Sequence, residues 1–424
     1  MELRNIKDPT IFDQFVENNT YGHYMKTSMW GEFQKRTMHY AYELKGFYED
    51  DQLIGTALLQ RGSWLGHSFI YVQKGPCIDY ENQELYKKAF TLLQQYADNE
   101  KVQFLRVDPN VVRVPHDIKG NVLEGFNHEY VTEDLKSLGY IHKGYGYAYN
   151  GSWTNRYTLI VDLSPSMDEV VKRYARPRRT SLNRHKAFHV STRVGTEKDI
   201  KYIMEFEQHL SWQDSFPPHS YEFFHSLFEL FKEHCVIYVT EIDLQGMIDG
   251  LQEEVQGKKY KNDLHAKQAT MKKIDDAKHL MSLYGSKLPI AAGLFLRFGD
   301  TSWDLYTYNH KDFIKMRPVD DLHYFAMKDM KEHGVIHYDM VGFSGVTTPD
   351  DPEYGLYDYK SSFGPEYIEQ IGEFDYVRNP NAMKRFRFEK LAINHLKRNF
   401  WKKKYHKDAQ TDDYVKLHKS VTSK

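Results

Sequence analysis

Cysteine and long apolar runs are both scarce in this chain. The 424 residues include two cysteines, Cys77 and Cys235, too few for a disulfide framework or a four-cysteine metal site. No apolar run reaches the roughly 18 residues of a membrane span, and no signal peptide follows Met1. We therefore expect a protein of the reducing cytosol, long enough for two ordinary domains.

The charge is unevenly distributed. The whole chain carries a net charge of −2, yet residues 384–424 contain 13 Lys and Arg against 4 Asp and Glu, so the tail is +9 and the remainder −11. A basic tail on an acidic body predicts an anionic partner, either nucleic acid or a lipid surface. Apolar residues among these cations predict an amphipathic helix over residues 383–407, which lies on an anionic membrane or docks against the first half of the chain.

An alternating apolar segment near the C-terminal end predicts a buried strand. It covers residues 335–340 and ends in a Gly-rich turn, and a second strand is expected over residues 366–377. Between them, three tyrosines and a phenylalanine surround Lys360. Such a lysine either extends to water or points into a pocket, where desolvation lowers its pKa. Composition alone favours the exposed position.

Four sequence elements of this region, YDMVG, YGLYDYK, FG and IGEFDYV, occur in an order that resembles the C-terminal core of the Fem family. These transferases use aminoacyl-tRNA to build the peptide branches of bacterial peptidoglycan. The resemblance implies an α/β (α+β) fold with two GNAT-like acyltransferase domains, and no cofactor or metal, because the tRNA ester is already activated. The sequence lacks the Gly-rich R/Q-x-x-G-x-G/A turn of acetyl-CoA enzymes.

A Gly/Tyr-rich segment and a polar insertion divide the chain. The Gly/Tyr-rich segment is the predicted domain boundary. In the polar insertion, apolar residues occur three and four positions apart, which predicts an antiparallel coiled-coil arm of two helices of about 20 residues. The arm is expected to turn near residues 257–263 and to lie outside both cores. The expected parts are a first GNAT-like domain (1–150, completed by 380–424), a second (151–241 and 288–379) and the helical arm (242–287).

The resemblance also implies roles for four residues. Lys360 is expected to stabilise charge near the ester or the tRNA end, and Asp108 to position the acceptor amine. Tyr306 and Tyr359 are expected to form walls of the substrate cleft. Considered by itself, Asp108 before Pro109 is equally an ordinary turn residue at a strand end.

A strongly basic segment lies between Glu169 and Glu197, which enclose no other acidic residue. Its density of cations is typical of phosphate binding, either by tRNA or by a lipid diphosphate, and a structural role is the alternative. The candidate tRNA-binding residues are Arg176, Arg178, Arg179, Arg184 and Lys186.

Three positions depart from the family pattern. Members with soluble substrates hold a nucleotide diphosphate with a lysine, an arginine and a tyrosine, where this chain has Gln34, His219 and Phe223. Lys35, one step after Gln34, and His219 remain candidate substrate contacts. Because these residues do not rebuild the clamp, we expect lipid II as the acceptor, rather than a soluble UDP-linked muropeptide, and an enzyme peripheral at the inner face of the plasma membrane.

The sequence therefore predicts transfer of Ala, Ser or Gly from aminoacyl-tRNA to the stem-peptide lysine, or to the growing branch, of a peptidoglycan precursor. Three alternatives stay open. One is the same reaction on soluble UDP-MurNAc-pentapeptide. Another is a non-catalytic homologue that binds tRNA or the membrane. The third is an N-acyltransferase with a different acyl donor.

Overall fold

The structure is a computed structural model that describes residues 1–146, 152–214, 216–257, 260 and 263–408. In the last helix, side chains are described at residues 380–390, 392, 393, 396 and 400. The strands are β1 Glu2–Asn5, β2 Ala41–Glu49, β3 Gln52–Trp64, β4 His67–Val72, β5 Phe104–Val107, β6 Ile141–His142, β7 Tyr157–Asp162, β8 Val190–Val194, β9 Cys235–Asp243, β10 Lys287–Phe298, β11 Thr301–Asn309, β12 His337–Phe343, β13 Glu366–Glu369 and β14 Phe374–Val377. The helices are α1 Pro9–Glu17, α2 Ser28–Met38, α3 Gln83–Asn99, α4 Glu129–Ser137, α5 Met167–Arg173, α6 Arg176–Ala187, α7 Ile200–Asp214, α8 Tyr221–Phe231, α9 Leu244–Gln256, α10 Leu264–Tyr284, α11 Pro318–Glu332, α12 Tyr354–Ser361 and α13 Pro380–Asp408.

The strands form two sheets of seven. The first has the order β1-β2-β3-β4-β5-β14-β6 and the second β13-β7-β12-β11-β10-β9-β8. Each contains one parallel pair, β4 with β5 and β11 with β12, and the two strands of each pair are joined through a helix, α3 or α11. A parallel pair needs such a crossover, and its recurrence gives the two halves a common plan.

The segment predicted as one strand over residues 366–377 is two strands in different sheets. β13 pairs with β7, whereas β14 pairs with β5 and β6. Gly372, with φ of 91°, lies in the crossing between them, a conformation that is costly for residues other than glycine. β14 therefore belongs to the first sheet, whereas the predicted boundary at residue 379 placed it in the second half. The prediction failed because the alternation of apolar residues does not show which sheet a strand joins.

A continuous apolar core connects the two halves. Trp30 and Phe33 of α2 pack in one cluster with Phe224 of α8 and Leu294 of β10. The rings of Tyr24 and Trp303 are 4.9 Å apart across the same junction. This shared core fixes the two sheets relative to each other and so fixes the width of the cleft between them.

The first helix of the insertion is shorter than expected, the second has the expected length, and the insertion is attached to the body. α9 has 13 residues and α10 has 21, so they are roughly 20 and 32 Å long. The seam of Met247, Leu251 and Ile274 is continuous with Ile242 and Leu288 at the ends of β9 and β10. The base of the arm is therefore part of a core, so the expectation that the arm lies outside both cores is wrong there. The coiled-coil character of the arm stays a prediction.

The final helix begins docked on the first sheet. Met383 and Phe386 are buried in a cluster with Phe69 and Phe104, as the docking alternative predicts for this part of the tail. Farther along, Phe388, Leu396 and Phe400 are 74%, 66% and 60% exposed. Residues 409–424 lie outside the described part of the chain.

Candidate active site

A cleft lies between the two sheets, beside the ends of β5 and β12. A central cavity of about 190 Å³ is bordered by Lys74, Thr154 and Gly342. It shares lining residues with a cavity of about 130 Å³ that contains Asp108, and with a wider opening of about 730 Å³ beside Asp339. The sequence-predicted Asp108 therefore lies in a polar cleft and not in an ordinary surface turn.

Asp108 is a buried carboxylate held by its neighbours. Its Oδ1 accepts the backbone N–H of Lys74 at 2.6 Å, and its Oδ2 accepts the hydroxyl of Thr154. The ammonium of Lys74 is 3.9 Å away. Burial raises the pKa of Asp108 to about 6, and the charge of Lys74 opposes the rise. At neutral pH the group is ionised, yet it accepts a proton far more readily than an exposed aspartate does.

Lys360 is also buried, which excludes the exposed position favoured by composition. It lies on α12 with 8% of its surface exposed. Its Nζ donates to the carbonyls of Val341 and Gly342 at 3.1 and 2.9 Å. Burial lowers the pKa of Lys360, and the carboxylates of Asp304 and Asp339 oppose this effect. The ammonium is thus fixed directly behind the cleft wall that Val341 and Gly342 form.

That wall contains a strained residue. Val341 has φ of 61°, a rare conformation for a β-branched side chain that costs about 1–3 kcal/mol. Asp339 stabilises it, because its Oδ1 accepts the N–H of Val341 at 2.7 Å and the hydroxyl of Thr158. The pairing of β12 with β7 shifts register here. The bulge turns two carbonyls toward Lys360, and no motif in the sequence pointed to Asp339 as its support.

Tyr359 is not among the residues that line the three cavities of the cleft, and its hydroxyl is hydrogen-bonded within the second half. The hydroxyl contacts His323 Nε2 at 2.7 Å, and His323 Nδ1 contacts the hydroxyl of Tyr338 at 2.7 Å. Burial lowers the pKa of His323 to about 3, so this histidine is neutral at physiological pH. Sequence reasoning missed His323, which lies in an ordinary helix, α11, and reaches Tyr359 only through the fold.

Tyr306 and His219 lie together at the junction of the two halves. The ring of His219 is 4.1 Å from that of Phe223 and 5.1 Å from that of Tyr306. The fully buried Glu207 accepts from His219 Nδ1 at 2.5 Å and from its backbone N–H at 2.9 Å. His219 and Phe223, two of the three positions of the expected nucleotide clamp, are thus tied into an aromatic cluster with Tyr306.

Lys35 is on the solvent side of α2. Its ammonium lies 3.3 Å from Glu32, one helical turn away, and 58% of its side chain is exposed. An exposed pair of this kind is weak, about 0.2–1 kcal/mol, and leaves the lysine available to other anions.

The basic segment lies in α5, α6 and β8, and its cations differ in environment. Arg178 donates to Asp320 and to the Ser362 hydroxyl, and its guanidinium lies 4.7 Å from the Tyr359 ring centroid. This residue therefore fits the structural alternative, because its charge is neutralised by a buried carboxylate of α11. The predicted phosphate contacts that stay exposed are Arg176, Arg179, Arg184 and Lys186.

The FemAB family model matches residues 8–390 of the chain. The chain belongs to the FemAB family. Aminoacyltransferase FemA of Staphylococcus epidermidis is 25% identical over 394 residues, which cover 86% of this chain and 93% of that protein. Lipid II:glycine glycyltransferase of Staphylococcus aureus strain MRSA252 is 24% identical over 395 residues, covering 87% and 91%.

The fold of the FemAB chain agrees with that of a solved structure. The crystal structure of FemX superposes with a TM-score of 0.75 at 21% identity, covering 91% of this chain and 99% of that one. The predicted mixed α/β fold, with two sheets, is confirmed. Within the described residues, no helix combines the length and apolarity needed to cross a bilayer, and no group of three or more metal-ligating side chains is present.

Proposed function

We propose that this FemAB protein transfers an amino acid from aminoacyl-tRNA to an amine of a peptidoglycan precursor, with lipid II as the acceptor. The observation that carries the proposal is the cleft shared by the two halves. Asp108 projects into it from the first half, and Lys360 is fixed behind its opposite wall. The names of the relatives, an aminoacyltransferase and a lipid II:glycine glycyltransferase, support the same reaction class.

The chemistry is the aminolysis of an ester. The acceptor amine attacks the ester carbonyl and a C–N bond forms. The C–O bond to the tRNA ribose then breaks, and the proton that the attacking nitrogen loses passes to the ribose oxygen, which leaves as a hydroxyl. Asp108, whose raised pKa of about 6 suits proton acceptance, orients the acceptor ammonium and takes up its proton. Lys360 stabilises the oxyanion through the charge it places behind the cleft wall.

The exposed cations of α6 are proposed to bind the tRNA. Ala175 donates its N–H to the carbonyl of Ser362 at 2.8 Å, so α6 begins beside the end of α12, which carries Lys360. Phosphates bound by Arg176 and Arg179 would therefore lie near the reacting ester. Each such contact releases counterions, which makes binding salt-dependent.

The lipid-linked form of the acceptor is supported by α13. Its exposed apolar residues Phe388, Leu396 and Phe400 occur in a helix rich in Lys and Arg. Basic helices with apolar residues bind anionic membrane surfaces. In contrast, Gln34, His219 and Phe223 offer no fixed cation pair for a nucleotide diphosphate, which disfavours a soluble UDP-linked acceptor.

Radiolabelled alanyl-, seryl- and glycyl-tRNA, each supplied with lipid II or with the soluble UDP-linked precursor, test the proposal. We expect transfer to lipid II from one of the three tRNAs, and reduced transfer when residues 398–424 are removed. Equal transfer to the soluble precursor, insensitive to that truncation, would contradict the choice of acceptor. Absence of transfer with tRNA binding intact would support the non-catalytic alternative.

A further inference from the structure

Asn155 lies between the two groups that the proposed reaction uses. It precedes β7 and lines both the cavity of about 130 Å³ that contains Asp108 and the central cavity of about 190 Å³. Its neighbour Thr154 donates its hydroxyl to Asp108, and Lys74 donates to the backbone carbonyl of Asn155 at 3.3 Å. The backbone of Asn155 is therefore fixed to the side of the cleft that holds Asp108.

The side chain of Asn155 reaches the opposite wall of the cleft. A Cβ atom added to Gly342 would lie 1.8 Å from Asn155 Nδ2 and 2.1 Å from its Cγ. Any residue with a side chain at position 342 would therefore displace this amide. The glycine lets Asn155 rest on the part of the wall behind which Lys360 is fixed.

The side-chain amide of Asn155 is open to the cavity. Within the described part of the chain, Nδ2 donates no hydrogen bond, and it is not one of the unpaired polar atoms that are sealed from the surface. The residue as a whole is partly exposed. Nδ2 is therefore accessible to a molecule in the central cavity.

The wall beneath this amide favours negative charge. Lys360 Nζ donates to the carbonyl of Val341 at 3.1 Å. Because a trans peptide is planar, the N–H of Gly342 in the same peptide points away from Lys360. The ammonium polarises this peptide and so strengthens the attraction of its N–H end for an anion. The charge of Lys360 is thus felt beside Gly342, where the amide of Asn155 lies.

We propose that Asn155 donates a hydrogen bond from Nδ2 to the oxyanion of the transfer reaction. As the acceptor amine forms the C–N bond, an electron pair of the ester C=O bond moves onto the carbonyl oxygen. When that C=O bond forms again, the C–O bond to the ribose breaks, and the ribose oxygen leaves with the proton that the nitrogen loses. A fixed amide donor stabilises such an oxyanion without reorganising during the step. The assignment rests on the proposed function.

Transfer kinetics with lipid II test this role. Asn155→Ala should lower kcat by about 10²–10³-fold, the loss expected for one oxyanion donor. The KM for both substrates should change little, because the charge exists only in the transition state. Asn155→Asp keeps the shape that packs on Gly342 but adds a carboxylate, so it should be at least as slow. Asn99→Ala, at the exposed end of α3, is the matched control and should transfer as wild type.

Two inert adenosine compounds test the same donor without turnover. An aminomethylphosphonate 3′-ester carries a tetrahedral, anionic centre, whereas a 3′-glycylamido compound carries a planar, neutral one. Asn155→Ala should bind the phosphonate at least about tenfold more weakly than wild type and the amide equally well, since only the phosphonate resembles the transition state. Calorimetric titration measures both affinities, and thermal melting checks that each variant is folded.

The outcomes separate this role from the proposed function. Wild-type turnover by Asn155→Ala or Asn155→Asp, or equal affinity of wild type and Asn155→Ala for the phosphonate, would overturn the assignment. A joint loss of kcat and of affinity for the amide would assign Asn155 to structure instead. Absence of transfer by wild type would contradict the proposed function, and the phosphonate comparison would still decide whether Asn155 recognises a tetrahedral anion. Absence of phosphonate binding by wild type would overturn the oxyanion role even where transfer is found.

Discussion

Replacing Asp108 with Asn should stabilise the protein while abolishing most of its activity. Burial raises the pKa of Asp108 from the ordinary 3.8 to about 6, so the fold favours the neutral carboxyl. Because one unit of pKa shift corresponds to about 1.4 kcal/mol, keeping Asp108 ionised at pH 7 lowers the free energy of unfolding by about 3 kcal/mol. Asn is neutral and can still accept the N–H of Lys74 and donate to Thr154.

The sign of the pH dependence follows from the raised pKa. The stability contributed by the neutral carboxyl is fully present below pH 3.8 and is lost as the pH rises through about 6. Asp108→Asn should therefore unfold at higher urea concentration than wild type at pH 7, with a gain of up to about 3 kcal/mol, and show no gain at pH 3.5. Activity of the wild type should fall as the pH decreases through about 6.

The catalytic loss should be large, since a proton acceptor at the reacting amine contributes roughly 10²–10⁴-fold. Single-turnover transfer to lipid II measures it. Thr154→Val, which removes one hydrogen bond to the carboxylate and keeps its charge, is the matched control and should lose less. A variant at Asp108 that is less stable than wild type at pH 7, or that transfers at the wild-type rate, would refute this reasoning.

Three further predictions concern other elements. Lys360→Met should lower turnover by about 2–4 kcal/mol of activation free energy with the fold retained; unchanged turnover in steady-state kinetics would remove its role. Charge reversal of Arg176, Arg179 and Arg184 should weaken tRNA binding and flatten its salt dependence in filter-binding assays, and an unaltered slope would assign them to structure. Deleting residues 243–286 should lower the Tm measured by thermal melting, because each large apolar side chain that it exposes loses about 1.5–3 kcal/mol; an unchanged Tm would show that the arm does not stabilise the body.

The sequence was informative where local chemistry and chain order were sufficient. A short apolar strand followed by Asp108 and proline predicted a strand end, and the structure has that strand end at the cleft. Lys360 and its aromatic neighbours pointed to the right segment. Its burial was not predictable, because it depends on the bulge at Val341, which Asp339 of the same strand supports and which Thr158 of β7 braces through its hydrogen bond to Asp339.

Long-range pairing accounts for the other differences. Arg178 belongs to a run of cations that predicts phosphate binding, but it faces Asp320, 142 positions later in the chain. β13 and β14 are near neighbours in sequence, yet they join separate sheets. Residue spacing predicts neither the pairing of Arg178 with Asp320 nor the separation of β13 from β14, because each depends on which element the fold places beside that segment.

The most direct test of the account is the mass of lipid II after incubation with the wild-type protein and aminoacyl-tRNA. We predict an increase of one amino-acid residue, located by fragmentation on an amine of the stem or its branch, and its near absence with the Asp108→Asn, Lys360→Met double variant. Product formation by the double variant at the wild-type rate, or no product from wild type with alanyl-, seryl- or glycyl-tRNA, would contradict the assignment of the cleft as the site of transfer.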